Sequence, residues 1–508
     1  VPADHNLFGA FTQAWAGRGD APALLEPGAR PKDFSALERD SARLAGLLAA
    51  RGLRAGDRLT IQAPKSPAWL CLYLACLRSG VVFHPLNEDY QPAELEFFIA
   101  DAAPALAVCS PERAALFATL TGSPARVLTL DARGQGSLAE AAASAAPAVA
   151  IHAAGANDVA VLLYSSGTTG RPKGALVTHG NLLSNARTLV DCWGFTPADR
   201  LLHALPVYHA HGLFVGVGCA LLSGASLLWL PRFTAADVLR ELPGCSVFMG
   251  VPTHYVRLLA DPGLDHARCR PVRLFVSGSA PLPPATFTQF EARTGQRILE
   301  RYGMTETGMN SANPLAGERR PGSVGLPLPG IDIRVVDETG QRLPAGTVGQ
   351  IEIRGPNVFR GYWRAPEQTA AAFTADGWFR SGDQGSFSAD GYLGIAGRSK
   401  DLVISGGLNV YPREVEVELE QLPGVRDAAV IGAPHPDFGE GVVAVLTAGT
   451  GAPDEAAVIA ALRMRLAAYK LPKRVFFLPE LPRNTMGKIQ KNELRQMFAD
   501  TFRNKNQP

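Results

Sequence analysis

Short aliphatic or β-branched runs alternate with helical patterns along most of the chain. Residues 59–62 read as a strand, 68–79 as a helix, 81–85 as a strand, 92–100 as a helix and 106–109 as a strand. A helical crossover returns the chain to the same end of a sheet, so strands joined this way pair mainly in parallel. The alternation therefore predicts an α/β fold of layered subdomains. At 508 residues the chain outgrows a single hydrophobic core, and more than one structural unit follows.

From about residue 322 to 395 the texture changes to short strands punctuated by turns, IDIRVVD, GQIEIRG and GYLGIAG, which predicts an antiparallel or β-barrel-like subdomain. Helix and strand signals restart beyond Gly397, with helices over 412–421 and 455–466 and strands over 428–432 and 474–478. A segment of about a hundred residues suffices for a small α/β domain. The expected division is a large N-terminal domain over 1–397 and a small C-terminal domain over 398–508. The Ala-rich stretch 139–156 reads as a surface connection. The most apolar stretch, 213–230, is broken by Gly216, Gly218, Ser223, Gly224 and Ser226, so it reads as a buried helix followed by a buried strand rather than a membrane span.

Charge narrows the partners. Forty-nine Lys and Arg against 47 Asp and Glu leave +2, too little for a general field that grips nucleic acid or an anionic membrane. Seven cysteines, at 71, 76, 109, 192, 219, 245 and 269, are scattered and never spaced as CxxC, which argues for reduced, buried thiols and against a zinc site. The N-terminal VPADHNLFGAFTQAW has no cationic region followed by an apolar core, so a cytoplasmic location and small-molecule partners are expected. No oligomeric state is readable, and a monomer fits.

Four segments carry chemistry. Residues 164–174, YSSGTTGRPKG, follow the apolar run VAVLL and place Ser165, Ser166, Gly167, Thr168, Thr169, Gly170 and Lys173 in one loop. Unobstructed backbone N–H groups, hydroxyls and one mobile cation make a cradle for a polyphosphate. It is not the GxxxxGK[ST] loop, because Lys173 is followed by Gly174. In ERYGMTET, 300–307, the Tyr302 ring can stack on a purine, Thr305 can donate to a phosphate, and Glu306 is a hard oxygen ligand suited to Mg²⁺. In FRSGD, 379–383, Asp383 can accept both hydroxyls of a ribose or serve a turn. In NTMGKIQK, 484–491, Lys488 offers a point charge where a carboxylate and phosphate oxygens must close on one another.

Together with GRSKDLVISGGLNVYPREVE at 397–416, these motifs resemble those of the adenylate-forming superfamily, the acyl- and aryl-CoA synthetases, peptide-synthetase adenylation domains and luciferases. They stand in that family's order from about residue 160 to 491, and HPLNEDY at 84–90 resembles its early segment. The resemblance implies ATP, Mg²⁺ and coenzyme A as reaction partners. It implies nucleotide contacts from the 164–174 loop, Tyr302 and Gly303, an α-phosphate contact from Thr305, metal binding by Glu306, and ribose contacts from Asp383 and Arg398. Lys488 would serve acyl-adenylate formation, after which a mobile C-terminal domain would turn about Lys400 and bring Gly406 and Gly407 against the pantetheine arm. His209 resembles the family's gate between nucleotide and thiol channels. Ser165 stands where the family commonly has Thr, and Gln384 where it has Leu.

The carboxylate pocket is expected from PVYHAHGLF at 206–214, GVPTHYVRLL at 250–259 and VSGSAPL at 276–282, which offer His209, His211, Arg257, Ser277 and Ser279. Arg257 either forks onto a second carboxylate or lies exposed on an amphipathic helix. The wording of these segments resembles the malonyl-CoA synthetases. That implies an AMP-forming acid–thiol ligase for a small dicarboxylate, malonate first and methylmalonate as the alternative, releasing AMP and pyrophosphate. A stand-alone adenylation enzyme, or a ligase for another short polar carboxylate, with a carrier-protein thiol as acceptor, remains the alternative.

Overall fold

The computed structural model describes residues 4–165, 172–398, 401–405, 408–435, 438–449, 451–466 and 468–502. Of the expected site residues, Ser166, Gly167, Thr168, Thr169, Gly170, Lys400, Gly406 and Gly407 lie outside the described residues, as does the side chain of Ser165. Among the described residues no helix is long and apolar enough to cross a membrane.

The chain folds as a mixed α/β protein with a large N-terminal and a small C-terminal domain. Two large sheets carry the N-terminal part. One has seven strands, in which Val159–Ser165, Val82–Pro85, Arg58–Gln62, Leu106–Cys109 and Val127–Thr129 run parallel, and Lys173–Thr178 turns back antiparallel beside Val159–Ser165. The other has nine, with a parallel run through Ile298–Met304, Leu274–Ser277, Val247–Gly250, Arg200–His203, Ser226–Trp229 and Pro22–Leu25. Parallel strands end together, so the segments leaving them gather on one edge of the sheet, where ligands of open α/β sheets bind.

Helix Pro67–Ser79 shows how local chemistry sets an element. Ser66 caps it by accepting from the Trp69 N–H, Pro67 takes the first turn where no N–H is needed, and Gly80 ends it at φ +72°. The apolar stretch from 213 divides as expected into the π-helical His211–Val217, the helix Gly218–Ser223 and the strand Ser226–Trp229. The turn-punctuated segment forms a four-stranded antiparallel sheet, Asp332–Val336, Gly349–Arg354, Phe379–Phe387 and Leu393–Arg398. Beyond it lies a separate sheet in which Val425–His435 and Gly439–Ala448 form a long hairpin, with Arg474–Leu478 parallel to the latter.

The buried side chains follow the same division. One large cluster fills the space around the two big sheets. Both faces of the last sheet are covered by clusters drawn only from residues beyond 400. A single described side chain from beyond 400 is buried within the large N-terminal cluster, and it is Met486, 4% exposed and two residues before Lys488.

Candidate active site

Two adjoining clefts, of about 1480 and 1040 Å³, open where the C-terminal residues face the edges of the N-terminal sheets. Ser279, Arg301, Gly303, Arg398 and Lys488 line both, so the two spaces form one site. The first contains Lys173, His209, Thr305 and Glu306; the second contains Arg257, Tyr302 and Asp383.

On the second side, Asp383 and Arg398 are register partners on adjacent antiparallel strands, and Arg398 Nε lies 3.1 Å from Asp383 Oδ1. Opposite charges facing each other across a ladder favour that register. The other carboxylate oxygen accepts the Tyr302 hydroxyl at 2.5 Å. Burial and the carboxylate beside it push the Tyr302 phenol well above its ordinary range. A ring, a carboxylate and a guanidinium are thus held together on one wall, the set expected for a nucleoside. Gly303 follows where an added Cβ would stand 2.2 Å from the Gly308 carbonyl.

On the first side, Thr305 and Glu306 occupy the turn between Ile298–Met304 and Gly308–Ala312. Glu306 is 6% exposed; its Oε1 accepts the Tyr362 hydroxyl at 3.2 Å, and its backbone carbonyl accepts the Phe359 N–H. Lys173 stands in register with Ser165, its Nζ 5.2 Å from the centre of the Tyr362 ring. Among the described residues no three His, Cys, Asp or Glu side chains gather to hold a metal unaided. A nearly buried carboxylate facing the cleft suits an ion such as Mg²⁺, which takes one or two carboxylates and draws its remaining ligands from water and phosphate.

Lys488 sits on a tight turn. Asn484 Oδ1 accepts the N–H groups of Met486 and Lys488 at 3.1 and 2.9 Å, and the Asn484 carbonyl accepts the Gly487 N–H. That turn meets the N-terminal part at three places. Thr485 is hydrogen-bonded to Tyr208 and lies at the limit of reach of Asn87, and Gly487 passes so close to Thr253 that a Cβ would stand 2.6 Å from its hydroxyl. The result brings the Lys488 charge to His209. Burial first, then the charges of Arg301 and Lys488, push His209 down to about 4, so the ring is neutral.

Of the residues expected in a carboxylate pocket, His209, His211 and Ser279 line the first cleft and Arg257 the second. Ser277 is fully buried, its Oγ without a hydrogen-bond partner. Ser279 adopts φ +73° and puts its Oγ 3.3 Å from His211 Nδ1. Arg257 is exposed on helix Pro252–Ala260 and stands on the rim rather than at the floor. The floor belongs to Arg301, which the sequence reading passed over. It is 3% exposed, and its Nε and one Nη have no hydrogen-bond partner. A buried guanidinium without acceptors is costly, and an anionic ligand satisfies it. The preceding residue, Glu300, is also buried, and successive strand side chains point to opposite faces. One Glu300 oxygen accepts the Leu282 N–H while the other has no partner, and burial pushes the carboxyl up to about 7. The available signal was two adjacent charges in ILERYGM, an otherwise apolar strand start.

A family model described as AMP-binding enzyme matches residues 11–363, and one described as AMP-binding enzyme C-terminal domain matches residues 414–488. The chain is 38% identical over 473 residues to a feruloyl-CoA synthase of Amycolatopsis sp, covering 92% of this chain and 94% of that protein. It is 37% identical over 494 residues to the mitochondrial malonate–CoA ligase ACSF3 of Mus musculus, covering 88% and 84%. The crystal structure of ATP-bound MatB from Rhodopseudomonas palustris superposes with a TM-score of 0.95 at 48% identity, covering 99% of this chain and 100% of that one.

Proposed function

The chain belongs to the AMP-binding enzyme family, and from that premise we propose that it is an AMP-forming ligase that adenylates malonate and passes the malonyl group to coenzyme A. The observation that carries the substrate assignment is Arg301, a buried guanidinium with unsatisfied nitrogens beside Ser279, His209 and His211. An aryl acid such as ferulate needs an apolar slot for its ring, whereas a second carboxylate needs cations and hydroxyls. The malonate ligases among the relatives agree with the latter.

In the first half-reaction one carboxylate oxygen of malonate attacks the α-phosphorus of ATP and pyrophosphate leaves. Arg301 from the floor and Arg257 from the rim hold the distal carboxylate, and Ser279 adds a hydroxyl. Tyr302, Asp383 and Arg398 receive the nucleoside, and Lys173 and the phosphate loop receive the phosphates. Lys488 enters between the reacting groups and offsets their negative charge as they approach. Glu306 would hold Mg²⁺ jointly with the triphosphate, and that ion would neutralise phosphate charge.

In the second half-reaction the thiol of coenzyme A attacks the acyl carbon and AMP leaves. The C-terminal domain, residues 398–508, turns between the two steps about Lys400. His209, kept neutral, is suited to line the thiol's path without attracting phosphate there. A panel of malonate, methylmalonate, propionate and ferulate in a pyrophosphate-release assay, with and without coenzyme A, tests the assignment. Malonate should give the highest kcat/KM; preference for ferulate or propionate would refute it.

A further inference from the structure

Lys65 is outside every motif named above, yet its ammonium is buried, 5% exposed, against Trp229, with Nζ 4.3 Å from the ring centre. Among the described residues no carboxylate forms an ion pair with it; Glu88 accepts the Lys65 backbone N–H, and its charge acts on the amino group from there. Its Nζ lies 2.8, 3.1 and 2.7 Å from the carbonyls of His203, Leu205 and Leu230 and 2.8 Å from His203 Nδ1, four acceptors that its N–H groups share. A carbonyl can only accept, so His203 Nε2, 2.8 Å from the Gly212 carbonyl, carries the proton, and in the neutral ring that burial enforces Nδ1 is left to accept from Lys65. That proton is donated to the Gly212 carbonyl, 2.8 Å away, in the first turn of the π-helical stretch His211–Val217. The two ends of the intervening loop also touch, since a Cβ on Gly212 would stand 2.0 Å from the Pro206 carbonyl oxygen.

These contacts bracket the loop that leaves strand Arg200–His203 and carries His209 before reaching His211. We propose that Lys65 is a positioning residue for the carboxylate pocket: through His203 it pins both ends of the 204–211 loop and so sets where His209 and His211 stand relative to Arg301. A π turn is a strained element that persists where its surroundings fix it, and here the fixing bond comes from His203. Burying a lysine head group without an ion pair is unfavourable for its charge, and burial pushes the Lys65 pKa well below its ordinary value; the acceptors gathered around it offset part of that cost. The inference rests on the ligase reading above for the identity of the acid, and only for that.

The test uses the full-length protein and three variants, Lys65→Met, His203→Asn and His203→Gln, in ATP–pyrophosphate exchange, with KM for malonate and for ATP and the melting temperature measured separately. Lys65→Met should raise the malonate KM about ten-fold or more and leave the ATP KM within about two-fold, because the nucleoside wall is built elsewhere. His203→Asn keeps an acceptor for Lys65 and loses the donor to Gly212, so it should behave like Lys65→Met. The longer amide of His203→Gln can supply that donor and should stay closer to wild type. Parallel rises in both KM values, equal behaviour of the two His203 variants, or no change would overturn the proposal. If Lys65→Met does not fold, the two His203 variants decide. If the wild type adenylates another acid in place of malonate, the ligase reading fails, and the same comparison with that acid still judges Lys65.

Discussion

A Cβ on Gly278 would stand 2.3 Å from the Cζ of Arg301. Glycine between Ser277 and Ser279 is what lets the guanidinium lie flat against the turn, because no side chain fits in the space that remains. Gly278→Ala should therefore displace the guanidinium and raise the malonate KM by about ten-fold or more. Steady-state kinetics at saturating ATP checks this, and an unchanged malonate KM would contradict the placement.

The two arginines should separate by depth. Arg301→Met removes the buried cation and should reduce kcat/KM for malonate by on the order of a hundred-fold or more, with less effect on propionate, which has no second charge to hold. Arg257→Leu should lower malonate turnover in the same direction but by less, since solvent can replace an exposed guanidinium. Equal losses on malonate and propionate in either variant would show that its arginine does not read the second carboxylate.

Lys488→Ala should largely abolish malonate-dependent pyrophosphate release and leave attack of coenzyme A on supplied malonyl-AMP mostly intact. The charge of Lys488 reaches His209 in the arrangement described here, and the thiol step needs no offset of phosphate repulsion of this kind. A matched loss in both half-reactions would mean that the lysine serves something common to them.

Acid should destabilise the fold in a defined window. Burial pushes His84 and His254 down to about 3, and His179 and His209 to about 4, from an ordinary value of 6.5. Between 6.5 and those values the unfolded chain binds protons that the folded chain refuses, so stability is whole above 6.5 and falls as pH is lowered through the window. Glu300 works in the other direction: raised to about 7 from 4.5, it holds a proton only in the folded state, so its contribution falls as pH rises from 4.5 to 7. Burial raises Glu26, Glu88 and Glu420 as well and lowers His203 and His211, so six rings oppose four carboxyls, and the rings prevail. Thermal unfolding followed from pH 7 to pH 4 should show a falling midpoint, and a flat or rising one would contradict the neutral, buried rings.

Much of this arrangement could be read from the residues in order. The helix read at 68–79 is Pro67–Ser79, because an apolar run with a serine cap and a terminal glycine admits little else. The strand read at 428–432 runs from Val425 to His435, since pairing with Gly439–Ala448 extends the ladder past its apolar centre. Tyr302, Asp383 and Arg398 were expected together from the resemblance of their motifs to the family's, and the structure does bring them together, through bonds that depend on two sheets meeting. Arg301 was not legible. It lies inside a quoted motif, but its lack of acceptors exists only once Gly278 has been brought against it. Lys65 lies 138 residues from His203, and no local pattern announces that contact.

Met486 has a consequence for how the reaction is paced. A methionine buried in a neighbouring lobe contributes on the order of 1.5–3 kcal/mol, enough to favour one seating of the lysine turn and small enough to be given up if the domain turns between the two steps as proposed. Its unbranched thioether slides into an irregular gap more readily than a branched side chain would. Together with the contacts of Thr485 and Gly487, this plug holds the lysine turn in place, and on the two-step reading proposed above a stronger plug would hasten the first bond while delaying the second.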